Sequence, residues 1–145
     1  MASIREQIVL SRVAALGAPG KPAGLRVHRS KRKPIEQDKL PAIVVYQLGE
    51  ETKRKGGDWG PLYEHTFALA LEVRVKGEAP DAALDPHIVW AQKTMVGDQT
   101  AGGFAKSVEF VGAQWQEAAS NQPLGAARLD FIVTYLAKAS DPEVQ

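Results

Sequence analysis

Phe67-Ala68-Leu69-Ala70-Leu71-Glu72-Val73-Arg74-Val75-Lys76 is the stretch on which the fold turns. Its large apolar residues occupy every second position, and an extended chain points successive side chains to opposite faces. Phe67, Leu69, Leu71, Val73 and Val75 therefore line one buried face. The other face passes from alanine to charge at Glu72, Arg74 and Lys76. A strand with one apolar face needs a second layer to cover it.

Working outward, the same alternation returns near the C-terminus, where Ala127, Leu129, Phe131, Val133 and Tyr135 share a face opposite Arg128, Asp130 and Thr134. Upstream, Pro41 introduces the continuous run Ala42-Ile43-Val44-Val45-Tyr46, whose β-branched and aromatic character predicts a strand central in the sheet. Leu25 to Arg29 alternates as a short strand, and Val108 to Trp115 reads as another with a bend at Gly112. The covering layer comes from two helices. Ser3 and Glu6 have capping-box spacing, Gly17 and Pro19 supply a stop, and Ile4, Ile8, Val9, Val13 and Leu16 form a stripe, which predicts a helix over Ile4 to Leu16 with Arg5 and Arg12 on its solvated side. Asp85 followed by Pro86 reads as the N-cap and first position of a second helix, with Ile88, Ala91 and Met95 buried and an end near Gly97.

The expected architecture is α+β and two-layered: a mostly antiparallel sheet of about four to five strands, both helices on one face, and a long inter-strand loop from Gln47 to Pro61. With 145 residues, 44% apolar and 24% charged, the chain reads as one domain over 1–145, with 139–145 a flexible tail. Cysteine is absent, which removes disulfides, thiolate metal sites and thiol nucleophiles. The N-terminal stretch carries Arg5, Glu6 and Arg12 among its apolar residues and does not read as a signal peptide; no apolar run has the length of a membrane span. The expected setting is a cytoplasm, or a particle assembled there.

Catalytic signatures are missing from the sequence. Neither a nucleophile elbow nor a phosphate-binding loop occurs, so the chain reads as a non-enzyme without a cofactor. His28, His65 and His87 sit on different elements without a carboxylate at ligand spacing, and read as surface or partly buried polar residues. Glu50, Glu51 and Asp58 read as solvated loop acids. Trp90 and Trp115 read as core or core-edge residues. Candidate contact residues lie in two places: the basic run Lys31, Arg32 and Lys33, which reads otherwise as a solvated loop, and the loop carrying Arg54, Lys55, Asp58 and Trp59, where glycines allow close approach and Trp59 reads equally as an interface anchor or as a side chain folded back onto its own sheet to pin the loop. The net charge of +1 argues against a general nucleic-acid binder, although the basic clusters could face phosphate locally.

The order of these segments resembles the tail terminator and tail completion proteins of long-tailed phages. The resemblance lies in Ser3-Ile4-Arg5-Glu6-Gln7-Ile8, in Leu25 to Ser30 with Lys31-Arg32-Lys33-Pro34-Ile35, and in Leu40 to Tyr46. It continues through Phe67 to Val75, Ala83-Leu84-Asp85-Pro86, and Gln122 to Leu129, and so spans nearly the whole chain. It implies a virion subunit that forms a homo-hexameric ring at the head-proximal end of the tail tube, made in the host cytoplasm. The implied partners are further copies of the chain, the tube protein, the head-tail connector and DNA passing through the channel, with no membrane. A head-completion or tail-tube component of the same neck region, or a small nucleic-acid-binding module, is the rival reading.

Overall fold

The computed structural model describes residues 2–29, 40–55, 62–76, 80–116, 124–138 and 143. In chain order the elements are α1 (Ile4–Leu16), β1 (Arg26–Arg29), β2 (Ala42–Lys55), β3 (Leu62–Lys76), α2 (Pro80–Gly97), β4 (Ser107–Gln116) and β5 (Leu124–Lys138). The five strands form one open sheet in the order β1-β2-β3-β5-β4. β1 runs parallel to β2, and the other three pairings are antiparallel.

The alternation seen in the sequence becomes apolar rows across this sheet. Val45 stands opposite Leu71, Leu71 opposite Leu129 and Leu129 opposite Ala113; the next rows join Leu69, Phe131 and Phe110, then Phe67, Val133 and Val108. All these rows face the helices, and Phe67, Leu69, Leu71, Leu129, Phe131 and Val133 are wholly buried. Burying each large side chain contributes roughly 1.5–3 kcal/mol. Ile4, Ile8, Val9 and Leu16 of α1, with Leu84, Ile88, Ala91 and Met95 of α2, complete the core from one side. The sheet's other face carries the even-numbered residues of β3 and β5, including the pairs Arg74–Glu72 (2.6 Å) and Arg128–Asp130 (2.8 Å).

α1 starts as expected, for the Glu6 amide donates to Ser3 Oγ at 3.1 Å. The Glu6 carboxylate, however, takes both terminal nitrogens of Arg29 on β1, the second at 2.7 Å, and that contact holds its pKa below the usual carboxylate value. Arg12 departs from its expected solvated position. It is 4% exposed, donating to the Thr94 carbonyl at 3.1 Å and to Asp98 Oδ2 at 3.2 Å, because α2 ends against that side of α1 and a cation suits a helix C-terminus.

α2 begins at Pro80, six residues before the Pro86 start of the Asp85-Pro86 reading. Pro80 takes the first helical position, and Pro86 lies inside the helix. Ala82 and Pro86 are both exposed, so the hydrogen bond lost at Pro86 falls on the solvent side, where it costs least. The expected loop from Gln47 to Pro61 is also corrected. Gln47 to Lys55 continues β2, pairing from Glu50↔Phe67 to Lys55↔Leu62 after a register shift between Gln47 and Glu50. Its polar sequence hides the strand because backbone pairing with β3, and not side-chain burial, holds it.

Candidate assembly surface

The paired ends of β2, β3 and β5 form an arm of the sheet. Lys53 stands opposite Glu64 and Arg54 opposite Tyr63, so opposite charge supports the first pair across the strands. Lys106 donates to the same Glu64 at 3.2 Å. Of the contact residues expected from sequence, Arg54 is exposed on this arm and Lys55 is the last paired residue of β2. Lys31, Arg32, Lys33, Asp58 and Trp59 lie outside the described residues.

At the root of the arm, the bulge turns Glu50 toward the helices. Arg5 of α1 donates to Glu50 Oε2 at 2.9 Å, and the Tyr135 hydroxyl donates to Oε1 at 2.8 Å. His65 stacks on the Tyr135 ring with centroids 4.8 Å apart, and its Nδ1 lies 3.2 Å from Thr52 Oγ1 and 3.5 Å from Glu50. Burial, then the Glu50 hydrogen bond and charge, push the Tyr135 phenol well above its usual pKa. These groups satisfy one another and tie the start of α1 to the arm. Among the described residues no group of three or more His, Asp or Glu is arranged to hold a metal. The cluster is a brace.

The other end of the sheet is different in kind. β4 pairs only with β5 among the described strands, so its outer edge is open. Its ladder shifts register between Phe110 and Gly112, as the glycine suggested, and Val111 in the bulge is 62% exposed. Trp115 is 57% exposed, which corrects its reading as a core or core-edge residue. It shares a row with the buried Ile43, Val73 and Ala127, but stands at the outer end of that row, on the edge strand beyond the bulge. The loop entering β4 is firmly built. Asp98 accepts from the Thr100 hydroxyl (2.6 Å), the Gly102 amide (2.8 Å) and the Thr100 amide (3.0 Å), which with Arg12 lower its pKa to about 2. Gln99 Oε1 then accepts from the Val108 amide at 3.2 Å, and the Lys106 amide donates to the Thr134 carbonyl at 2.7 Å.

No family model matches the chain, and no curated protein matches it either. Among solved structures it is similar to a chain in the virion of a native gene transfer agent particle. That superposition covers 93% of this chain and 92% of the other, at 13% identity and a TM-score of 0.49. The likeness is one of general chain course.

Two features of this surface escaped the sequence. The Arg5–Glu50–Tyr135–His65 brace draws on residues up to 130 positions apart, 135 less 5, and no local spacing signals it. The exposure of Trp115 depends on β4 being the edge strand of the sheet. A usable signal was present in β4 itself: Val111 and Trp115 flank residues of mixed polarity, Gly112 to Gln114, and so break the clean alternation of a strand buried on one face.

Proposed function

We propose that this chain is a structural subunit of a phage virion: a tail terminator whose copies close into a six-membered ring on the head-proximal end of the tail tube. The ring ends tube growth and offers its other face to the head-tail connector. What carries the reading is an open sheet whose two edges are unlike and, among the described residues, unpaired on their outer sides: the basic four-residue β1 and the longer β4 with Trp115 and Val111 in solvent. An open sheet edge is a template for another chain, and exposed tryptophan favours a macromolecular contact over a small-molecule site. Unlike edges on one subunit give head-to-tail contacts, which generate rings when the rotation closes. The segment order that resembles tail terminators, and the two-layer fold that such a resemblance implies, support the same choice.

On this reading Lys53, Arg54 and Lys55 on the arm, together with Lys31, Arg32 and Lys33, give the ring a basic rim for an acidic partner surface or for passing DNA. Sedimentation velocity of the purified chain, alone and mixed with tail tube protein of the same phage, tests the reading. A hexamer, or capping of tube ends, is expected. A chain that stays monomeric and leaves tube growth unchanged refutes it, and a chain that polymerises into tubes by itself is a tube component instead.

A further inference from the structure

We propose that neighbouring copies join by strand addition, with residues Ala113 to Gln116 of β4 pairing antiparallel with Arg26 to Arg29 of β1 in the next copy. The proposal rests on the ring reading above and specifies its subunit contact. Three features of the sheet lead to it.

The first is direction. β1 parallels β2, and three successive antiparallel pairings lead from β2 through β3 and β5 to β4. β4 therefore runs opposite to β1, and a second copy brought up beside β4 with its helices on the same side presents β1 antiparallel to it. The sheet then continues across the contact without turning over.

The second is length. The bulge at Val111 divides β4, and bulges interrupt pairing on an edge strand. The regular segment beyond it is about as long as the four residues of β1.

The third is side-chain fit. Arg29 stands opposite Val45 and Val27 opposite Ile43, so both belong to the helix side of the sheet, as does Trp115 through Ala127. With all four residues of β1 engaged in face-matched register, Trp115 stands opposite Val27 of the next copy and diagonal to its Arg29. Diagonal neighbours lie within reach of aromatic and long side chains. Glu6 already holds that guanidinium through two hydrogen bonds, and a planar, fixed guanidinium stacks well on indole. On the other face Gln114 and Gln116 stand opposite His28 and Arg26, and Gln116 offers a hydrogen-bond acceptor to the exposed Arg26.

Because the chain has no cysteine, a pair of introduced thiols reports this register directly. The variant carrying both Gln116→Cys and Arg26→Cys, oxidised at concentrations where the unmodified chain assembles, should give a covalent ladder up to the ring size on a denaturing gel. Each single variant should give none. Trp115→Ser should weaken assembly at least tenfold while the circular dichroism spectrum stays unchanged, and Trp115→Phe should recover most of the loss. A ring that forms normally but yields no ladder and tolerates Trp115→Ser overturns the contact while leaving the ring reading intact. A dimer band from Gln116→Cys alone also overturns it, since β4 would then be paired with β4. Absence of any assembly by the unmodified chain, with or without tube protein, removes the ring reading itself.

Discussion

Replacing Asp98 by alanine should cost about 3 kcal/mol of stability and loosen the edge strand without disturbing the sheet's centre. The carboxylate accepts four hydrogen bonds, from Arg12, from the Thr100 amide and hydroxyl, and from the Gly102 amide. Thr100 and Gly102 are exposed, so water replaces their partner in the variant, and about 0.5 kcal/mol each is the low end of the ordinary range for a hydrogen bond. Together they contribute about 1.5 kcal/mol. Arg12 is the larger single loss. Its side chain is 5% exposed while that of Asp98 is 43% exposed, so the pair is screened from one side and about 1.5 kcal/mol replaces the 3–5 of a fully buried pair.

Urea unfolding followed by tryptophan fluorescence measures the total, and a double-mutant cycle with Arg12→Met should return a coupling of about 1–2 kcal/mol. The pH dependence carries the same signature. Because the folded-state pKa of Asp98 lies at about 2, below the ordinary aspartate value of 3.8, its contribution is full above pH 4 and disappears as pH falls through 2. The gap between parent and variant should close over that window. Hydrogen exchange at the Val108 amide, whose acceptor Gln99 belongs to the same loop, should quicken in the variant. A loss below about 0.5 kcal/mol at neutral pH, or a gap indifferent to pH between 4 and 2, would show that the loop stands without Asp98.

Two further outcomes follow from the same packing. Burial lowers the pKa of His87, which is 8% exposed with an unpaired Nδ1, so stability should be full above pH 6.5 and decline as pH falls below it toward the folded-state pKa; His87→Leu should flatten that decline in urea unfolding between pH 7.5 and 5. Gly102→Ala should cost at least about 1 kcal/mol in the same assay, because its φ of +82° disfavours any Cβ and the added atom would stand 2.6 Å from Ser11 Oγ. An alanine variant as stable as the parent would mean that the Asp98–Gly103 turn relaxes freely.

Wherever side-chain burial holds an element, the sequence was sufficient. The faces of β3 and β5, the stripe of α1 and the buried residues of α2 follow from periodicity alone, since each must hide an apolar face and only one geometry does so. The two-layer α+β architecture follows in turn. Elements held by backbone pairing or by distant partners were not legible. The polar outer half of β2 is a strand only because β3 lies beside it, and α2 runs through Pro86 because that proline falls on its solvent side. Arg12 is buried only because α2 happens to end where Thr94 and Asp98 can receive it. The candidate site divides in the same way: the basic character of the arm at Arg54 and Lys55 is written in the residues themselves, whereas the exposure of Trp115 is decided by its place on the sheet's edge strand, beyond the bulge. Local chemistry sets what a residue can bury, and only the assembled layers decide what is left uncovered.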